Sequence, residues 1–337
     1  MKKIITLLLA AALFLSTLTG CTKASENNAD STTAQTNEST ATTTSSSNTD
    51  PTPEQASPVS DFEYEENGEG GITILKYIGH SEVVVIPNEI HGKNVTKINN
   101  LCFSMNDDIY SVSIPDSVIE IGGGGFFQCR NLKKVTLSSQ IEIIGSGAFE
   151  KTAISEITLP TSLKSIGMRA FADCANLKYI KIPKGLTTLN AEIFSNSGLE
   201  TVVFEEGVEE IASGMFANTK IREITTPKSL KTIHHSAFVN CANLEKVTLN
   251  EGLITIDTYA FGGESKLTEI IIPQSVVNLK DDTFSSCHTL KAVKFEGNAP
   301  NEYISGNINM PEYTVYYHSE ATGFTSPEWN GYETAIW

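Results

Sequence analysis

The stretch Leu132–Phe149 reads LKKVTLSSQIEIIGSGAF, and most of the chain repeats its pattern. Its first six residues are apolar at the first, fourth and sixth places, and the last two apolar places alternate with polar ones as a half-buried strand requires. Its last six residues, Ile144–Phe149, form a glycine-containing segment that is short enough for one helical or 3₁₀ turn. The stretch therefore predicts one strand and one short turn.

Two columns of apolar residues repeat this pattern at intervals of 22 or 23 residues. The first column is phenylalanine: Phe103, Phe126, Phe149, Phe171, Phe194, Phe216, Phe238, Phe261 and Phe284. The second column opens each strand: Ile109, Leu132, Ile154, Leu177, Leu199, Ile221, Leu244, Leu267 and Leu290. Two columns in register predict a repeat solenoid of about nine units, because stacked units of this length bury a continuous core.

Proline and small residues mark the end of each predicted strand. In five units a proline follows the strand directly, at Pro115, Pro160, Pro183, Pro227 and Pro273. A residue without an N–H cannot continue a hydrogen-bonded ladder. Two places further on, seven units carry a small residue suited to a tight turn: Ser117, Ser162, Gly185, Gly207, Ser229, Gly252 and Ser275.

This assembled pattern resembles the BspA-like, treponemal class of bacterial leucine-rich repeats, whose units follow L-x-x-I-x-I-P-x-x-V-x-x-I-G-x-x-A-F-x-x-C. The resemblance covers about residues 62–295. It implies a leucine-rich-repeat solenoid with terminal caps and a non-enzymatic role in adhesion or host-surface contact. Serine or glycine stands where better-known leucine-rich repeats carry asparagine, so no asparagine ladder is expected.

The first residues have the parts of an export signal. Lys2 and Lys3 precede an apolar run from Ile4 to Leu18. The following Leu18-Thr19-Gly20-Cys21 resembles the lipobox of bacterial lipoproteins, which implies a lipid on Cys21 and an anchor in the outer face of the bacterial cell membrane. An ordinary signal peptide or a short membrane anchor is the alternative, and either one also exports the chain.

Composition divides the 337 residues into five segments. The stretch from Thr22 to about Val59 is mostly serine, threonine, asparagine, alanine, glutamate and proline, and it has too little apolar surface to offset the entropy of ordering. The expected organisation is a signal peptide at 1–20, a lipidated cysteine and disordered tether at 21–60, an N-terminal cap at 61–101, repeats at 102–298, and an aromatic C-terminal cap at 299–337.

Charge and motif searches narrow the function classes. The formal net charge of −16 disfavours nucleic acid and limits membrane contact to the lipid anchor. No histidine spacing suits a metal site, the run Gly122–Gly125 lacks the lysine of a phosphate loop, and no Gly-x-Ser-x-Gly elbow frames a serine. We therefore expect no enzyme activity, no metal and no cofactor.

Five cysteines remain beyond Cys21, and four of them share one column: Cys129, Cys174, Cys241 and Cys287. They lie two or three units apart, which at about 4.8 Å per strand exceeds the Cα separation of about 7 Å that a disulfide tolerates. They are expected to be buried packing thiols. Cys102 lies in another column, and a bond between Cys102 and Cys129 stays open.

The outward residues of stacked strands form a continuous concave face on which repeat proteins usually bind partners. The predicted outward pairs are Ser111/Ser113, Lys134/Thr136, Glu156/Thr158, Tyr179/Lys181, Thr201/Val203, Glu223/Thr225, Lys246/Thr248, Glu269/Ile271 and Ala292/Lys294. Tyr179, Lys181, Thr201 and Val203 combine an aromatic, a cation and an exposed aliphatic side chain, which a protein or glycan partner can use. The alternative is that these columns only stabilise the sheet as cross-strand pairs.

A second candidate surface is the aromatic C-terminal tail, which contains Tyr313, Tyr316, Tyr317, Phe324, Trp329, Tyr332 and Trp337. Aromatic faces can stack on sugar rings, so an envelope structural or carbohydrate-binding lipoprotein is the alternative function. Packing of the final cap is favoured, because a terminal repeat must cover its open core.

Overall fold

The computed structural model describes residues 55–263, 265–280, 282–301 and 312–337. The predicted signal peptide, Cys21 and the tether up to residue 54 lie outside the described residues. No helix in the described ranges is both long and apolar enough to cross a bilayer.

The described chain consists almost entirely of short strands. One 3₁₀ helix, Val59–Asp61, precedes them. The strands, in chain order, are β1 (Phe62–Glu66), β2 (Ile72–Tyr77), β3 (Val83–Val85), β4 (Glu89–Ile90), β5 (Lys93–Ile98), β6 (Ser111–Ser113), β7 (Glu120–Ile121), β8 (Lys134–Thr136), β9 (Ile143–Ile144), β10 (Ser165–Ile166), β11 (Tyr179–Ile182), β12 (Thr188–Leu189), β13 (Thr201–Phe204), β14 (Glu210–Ile211), β15 (Glu223–Thr225), β16 (Thr232–Ile233), β17 (Lys246–Thr248), β18 (Thr255–Ile256), β19 (Glu269–Ile272), β20 (Asn278–Leu279), β21 (Ala292–Phe295), β22 (Thr314–Tyr317), β23 (Glu328–Trp329) and β24 (Tyr332–Ile336).

Most turns of the solenoid contribute to two sets of parallel sheets. Eight of the nine predicted strands, together with β3, β22 and β24, form the first set, whose ladders run β3-β6-β8, β11-β13, β15-β17 and β19-β21-β22-β24. The outward side of these strands is called the strand face below. The second set contains the two-residue strands, in the orders β5-β7-β9-β10-β12 and β14-β16-β18-β20. With the turns at both ends, the solenoid has about eleven turns, two more than the phenylalanine column predicts.

A stack of phenylalanine rings fills the core between the two sets of sheets. All nine rings of the column are at most 2% exposed. Successive ring centroids are 4.7 to 6.1 Å apart and the ring planes differ by no more than 13°. The repeat length therefore keeps each phenylalanine directly above the last.

The segment around each phenylalanine differs from the predicted helical or 3₁₀ turn. It is a chain of hydrogen-bonded turns in which two residues, such as Gly147 (φ 60°) and Lys151 (φ 60°), adopt left-handed backbone angles. A right-handed helix cannot continue through such residues. The N–H groups also alternate, because Ala148 donates locally to Gly145 (3.2 Å) while Phe149 donates to Ala170 of the next turn (2.8 Å). Bonds between turns therefore replace helical bonds.

Both ends of the solenoid are closed by aromatic residues and extra strands. At the start, β1 pairs antiparallel with β2, and Tyr77 stacks on Phe103 at 5.2 Å. Ser57, which falls within the predicted tether, donates its N–H to the Val85 carbonyl at 2.9 Å and so pairs with the free side of β3. At the other end, Tyr313 meets Phe284 edge-on at 6.3 Å.

The five described cysteines are buried, and none of them forms a disulfide. The four column thiols each donate to the carbonyl of a phenylalanine one turn earlier, as Cys129 does to Phe103 (3.0 Å) and Cys174 to Phe149 (3.1 Å). Burial raises the pKa of Cys129 to about 12 and that of Cys174 to about 11. The thiols pack between turns, and Cys102 forms no disulfide with Cys129 in the structure.

Candidate binding surface

The structure brings the four predicted surface residues together on two adjacent strands. β11 and β13 are parallel, and their register pairs Tyr179 with Thr201 and Lys181 with Val203. Tyr179 is 49% exposed and Val203 is 41% exposed, whereas Ile180 between Tyr179 and Lys181 is fully buried. The period-two alternation of a strand thus separates a core side from a solvent side. Tyr179, Lys181, Thr201 and Val203 are called the central patch.

An ion pair that the sequence did not reveal fixes the charge of the central patch. The Lys181 Nζ lies 2.6 Å from the Glu205 Oε1, and the other Glu205 oxygen accepts the Lys184 N–H at 3.0 Å. These contacts raise the pKa of Lys181 and lower that of Glu205. Glu205 follows β13 directly, so an acidic residue one place after a neighbouring strand was the available signal. The cation of the patch is therefore oriented and partly neutralised.

A second ion pair lies at the entrance to the same two strands. The Lys178 Nζ is 3.1 Å from the Glu200 Oε1, and this contact lowers the pKa of Glu200. Lys178 and Glu200 precede Tyr179 and Thr201 by one residue each. The aromatic and aliphatic side chains of the central patch thus lie between two ion pairs, Lys178–Glu200 and Lys181–Glu205. Each pair has no net charge.

Opposite charges also face each other elsewhere on the strand face, as the outward pairs predict. Lys134 forms an isolated backbone β-bridge with Glu156, and Glu223 is in backbone register with Lys246. The Lys294 Nζ forms an ion pair with Glu269 at 2.8 Å across β19 and β21. Exposed pairs of this kind contribute at most about 1 kcal/mol each to the free energy of unfolding, so they help to fix the strand register more than they stabilise the fold.

The ladder of the strand face is interrupted, and two interruptions open clefts. The first lies between β8 and β11, where residues 154–159 form only the isolated bridge from Glu156 to Lys134. Its cleft holds about 680 Å³, is called the hydroxyl cleft, and is rimmed by Thr136, Ser139, Ser155, Glu156, Thr158 and Tyr179. The second lies between β17 and β19, holds about 500 Å³, is called the acidic cleft, and includes Glu245, Lys246, Thr248, Thr268, Glu269 and Glu296.

Most aromatic residues of the C-terminal tail are buried rather than displayed. Tyr313 stacks on Tyr332 at 4.2 Å and Tyr317 on Phe324 at 4.8 Å. Tyr313, Tyr317, Trp329 and Tyr332 are at most 9% exposed. Trp337 is 40% exposed, but it stacks on His318 and lies under the Lys294 ammonium at 5.3 Å. These rings pack the end of the solenoid, and few of their faces are open to a sugar.

A charged cluster on the turns was also not predicted from the sequence. The Arg169 guanidinium contacts Glu192 (2.7 Å), Asp173 (2.8 Å) and Glu150 (3.0 Å). The four residues come from three consecutive turns, and the hydrogen bond that Arg169 donates to Glu150 is the largest cause of a raised Arg169 pKa. Within the described ranges, no group of three or more histidine, cysteine, aspartate or glutamate side chains is arranged to hold a metal ion.

Comparison with known proteins identifies the repeats. A family model described as the BspA type leucine rich repeat region matches residues 96–221 and 209–308, in six copies. None of the curated proteins compared with the chain matches it.

Solved structures with similar folds are bacterial leucine-rich repeat proteins. One from Bacteroides ovatus is 25% identical with a TM-score of 0.65, and the alignment covers 82% of this chain and 75% of that one. One from Eubacterium ventriosum is 21% identical with a TM-score of 0.50, covering 78% and 77%. A leucine rich cell surface protein from Faecalibacterium prausnitzii is 20% identical with a TM-score of 0.49, covering 85% and 95%. The Bacteroides ovatus likeness supports the predicted leucine-rich-repeat fold.

Proposed function

The chain belongs to the BspA-type leucine-rich repeat family, and from this premise we propose that it is a non-enzymatic cell-surface protein whose strand face binds a protein or glycan partner. The observation that carries the proposal is the central patch. A half-exposed aromatic ring and an exposed aliphatic side chain are adjacent on paired strands, with a cation held beside them. Such residues are the usual anchors of an interface.

The size of the surface supports the same proposal. Nine predicted strand segments, eight of which form strands in the structure, give a face roughly 40 Å long at about 4.8 Å spacing, enough for an interface of about 800 Å² per partner. Tyr179 lies on the fourth of the nine predicted strands, and binding energy concentrates near the centre of an interface.

We propose further that the protein is exported and held on the outer face of the bacterial cell membrane by a lipid on Cys21. The support is the lipobox-like Leu18 to Cys21 behind an apolar run. Cys21→Ser should abolish incorporation of labelled palmitate and release the protein or leave its precursor unprocessed. Unchanged palmitate incorporation in the variant would reject the anchor.

Capture by the full chain tests the binding proposal. Envelope extracts, host matrix proteins and polysaccharides are each passed over immobilised protein, and bound material is compared between wild type and a Tyr179→Ala/Lys181→Ala variant. The matched control is Lys246→Ala/Thr248→Ala, which alters the same two outward places on β17. Loss of a partner in the first variant alone supports the central patch. Loss in the control alone would instead place the binding site at the outward residues of β17.

The alternative, carbohydrate binding by the C-terminal aromatics, has less support, because those rings are largely buried in contacts with one another. Glycan binding that vanishes on removing the residues after Pro311 would favour it, although Pro311 itself lies outside the described residues.

A further inference from the structure

The hydroxyl cleft exists because the third predicted strand fails to join the sheet. Residues 154–159 carry the repeat pattern, yet they bridge β8 only at Glu156 and make no ladder with β11 in the described chain. Backbone N–H and C=O groups on both walls therefore lack a strand partner across the cleft. Unpaired strand edges are strong hydrogen-bonding surfaces.

The interruption also opens the core to solvent at this point. In the neighbouring strands the inward residues Val112 and Ile180 are at most 1% exposed. Beside the cleft, Val135 and Leu137 are only half-buried, and Ile157 is 8% exposed. The floor of the cleft is therefore apolar, while its walls are polar.

The rim is rich in hydroxyl groups and close to neutral. Thr136, Ser139, Ser155 and Thr158 are exposed and line the cleft. Among the lining residues, Glu156 supplies a carboxylate and Lys178 an ammonium, and this ammonium is also paired with Glu200 at 3.1 Å. A hydroxyl both donates and accepts hydrogen bonds, and the carboxylate accepts them.

Tyr179 completes the site at one end, where it is 49% exposed and lines the cleft. Sugars present an apolar C–H face and a ring of hydroxyls, so an aromatic platform and an apolar floor suit the face while a polar rim suits the hydroxyls. The volume of about 680 Å³ lies within the range of about 300–1,000 Å³ for small-ligand sites.

We infer that the hydroxyl cleft binds a neutral oligosaccharide, with one sugar ring stacked on Tyr179 and hydroxyls bonded to Glu156 and Thr158. The inference rests on the proposed function, because it gives the ligand class for the end of the central patch that Tyr179 forms. It does not require Lys181, whose ammonium is bound to Glu205 directly after the end of β13.

The acidic cleft is a natural control, because it arises from the same kind of interruption with different walls. Its carboxylates are Glu245, Glu269 and Glu296, and none of its described lining residues is aromatic. Thr248 occupies the second outward place of β17, which corresponds to Thr158 in the hydroxyl cleft. A ligand that selects the hydroxyl cleft should ignore changes at Thr248.

The test titrates the purified full chain with cellotetraose, chitotetraose, maltotetraose and mannotetraose, using saturation-transfer NMR and calorimetry. At least one should bind with a Kd on the order of 1 mM or tighter. Tyr179→Ala, Glu156→Gln and Thr158→Val should each raise that Kd at least about tenfold, and Tyr179→Phe should bind more tightly than Tyr179→Ala because it keeps the ring. Thr248→Val in the acidic cleft should change the Kd less than about twofold.

Three results would overturn the assignment. One is absence of binding for all four sugars at about 10 mM. Another is binding that persists in Thr158→Val and Tyr179→Ala. The third is binding of an extended Thr-Val-Thr-Val peptide in place of the sugars, which would make the cleft a strand-pairing groove. Partner capture by the wild-type chain also uses envelope extracts and host matrix proteins, so a failed sugar titration leaves the proposed function intact. Failed capture of those proteins leaves the sugar site to be judged by the titration alone.

Discussion

The phenylalanine stack and the central patch are built by the same repeat, but they vary in opposite ways. Nine consecutive turns keep phenylalanine at the inward place, and each ring lies within 6.1 Å of the next. The outward places of the strands change at every turn, from Lys134 and Thr136 to Tyr179 and Lys181. The inward columns therefore specify the fold, and the outward places, which vary from turn to turn, are where we propose that a partner is recognised.

The largest effect should come from the stack. Phe171→Ala is expected to lower the free energy of unfolding by about 3 to 5 kcal/mol, because it removes a fully buried ring that stacks on both Phe149 and Phe194. Neighbouring turns should lose stability with it, since each turn is stabilised by the next. Denaturant melts measure the change, and a loss below about 1 kcal/mol would contradict the stack as the main element of the core.

The central patch should show the reverse behaviour. Tyr179→Ala with Lys181→Ala should weaken binding of a captured partner by at least about 2 kcal/mol while changing the free energy of unfolding by less than about 0.5 kcal/mol. Both side chains are exposed, so their removal opens no cavity. Calorimetric binding and denaturant melts on the same sample check both halves, and equal losses in the two would show that the patch is structural.

The apolar columns and the outward strand places were predicted from the sequence, whereas the two-residue strands and the left-handed turns were not. The phenylalanine column and the outward places of β11 and β13 follow from a strict period and a two-residue alternation, and both were found. The two-residue strands such as Ile143–Ile144 are too short to show alternation. The left-handed turns were hidden because many of their residues, such as Lys151 and Arg169, are not glycine.

Contacts between turns were the other gap. The pairing of Lys181 with Glu205 depends on the reach of a side chain from one strand to the residue after the next one, and the acidic residue directly after β13 was its only trace in the sequence. The interruption beside Glu156 leaves no mark in the sequence, because residues 154–159 keep the repeat pattern through it. The repeat pattern therefore predicted the face but not the clefts.

The cysteine column offers a graded test within the core. Cys129→Ala should cost about 2 kcal/mol and Cys174→Ala about 1 kcal/mol, since both leave a small void but differ in what remains on the phenylalanine carbonyl. The Phe149 carbonyl keeps the Thr152 hydroxyl at 2.9 Å after Cys174 is altered. The Phe103 carbonyl has the Cys129 thiol as its side-chain donor. Denaturant melts that rank the two variants in the opposite order would contradict this role of the thiols.

The smallest effect concerns the ion pair at the edge of the central patch. The Lys181 hydrogen bond, with help from the Lys184 N–H, lowers the Glu205 pKa below its ordinary value of 4.5, and the Glu205 contact raises the Lys181 pKa above 10.5. A lowered carboxyl pKa gives stability that is present above about pH 4.5 and is lost as the pH falls through the folded value. A raised ammonium pKa gives stability that is present below 10.5 and is lost above the folded value. The pair should therefore contribute a constant small amount between these limits. Because the Lys181 side chain is exposed and Glu205 is only half-buried, salt screens the contribution, and it should shrink in 1 M NaCl.

Carboxyl NMR should find a Glu205 midpoint below 4.5 in wild type and a shift back toward 4.5 in Lys181→Ala, with Lys246→Ala as the control that leaves it unchanged. A wild-type midpoint at or above 4.5 would mean that the two side chains do not meet in solution, and the cation of the central patch would then be free to reach a partner.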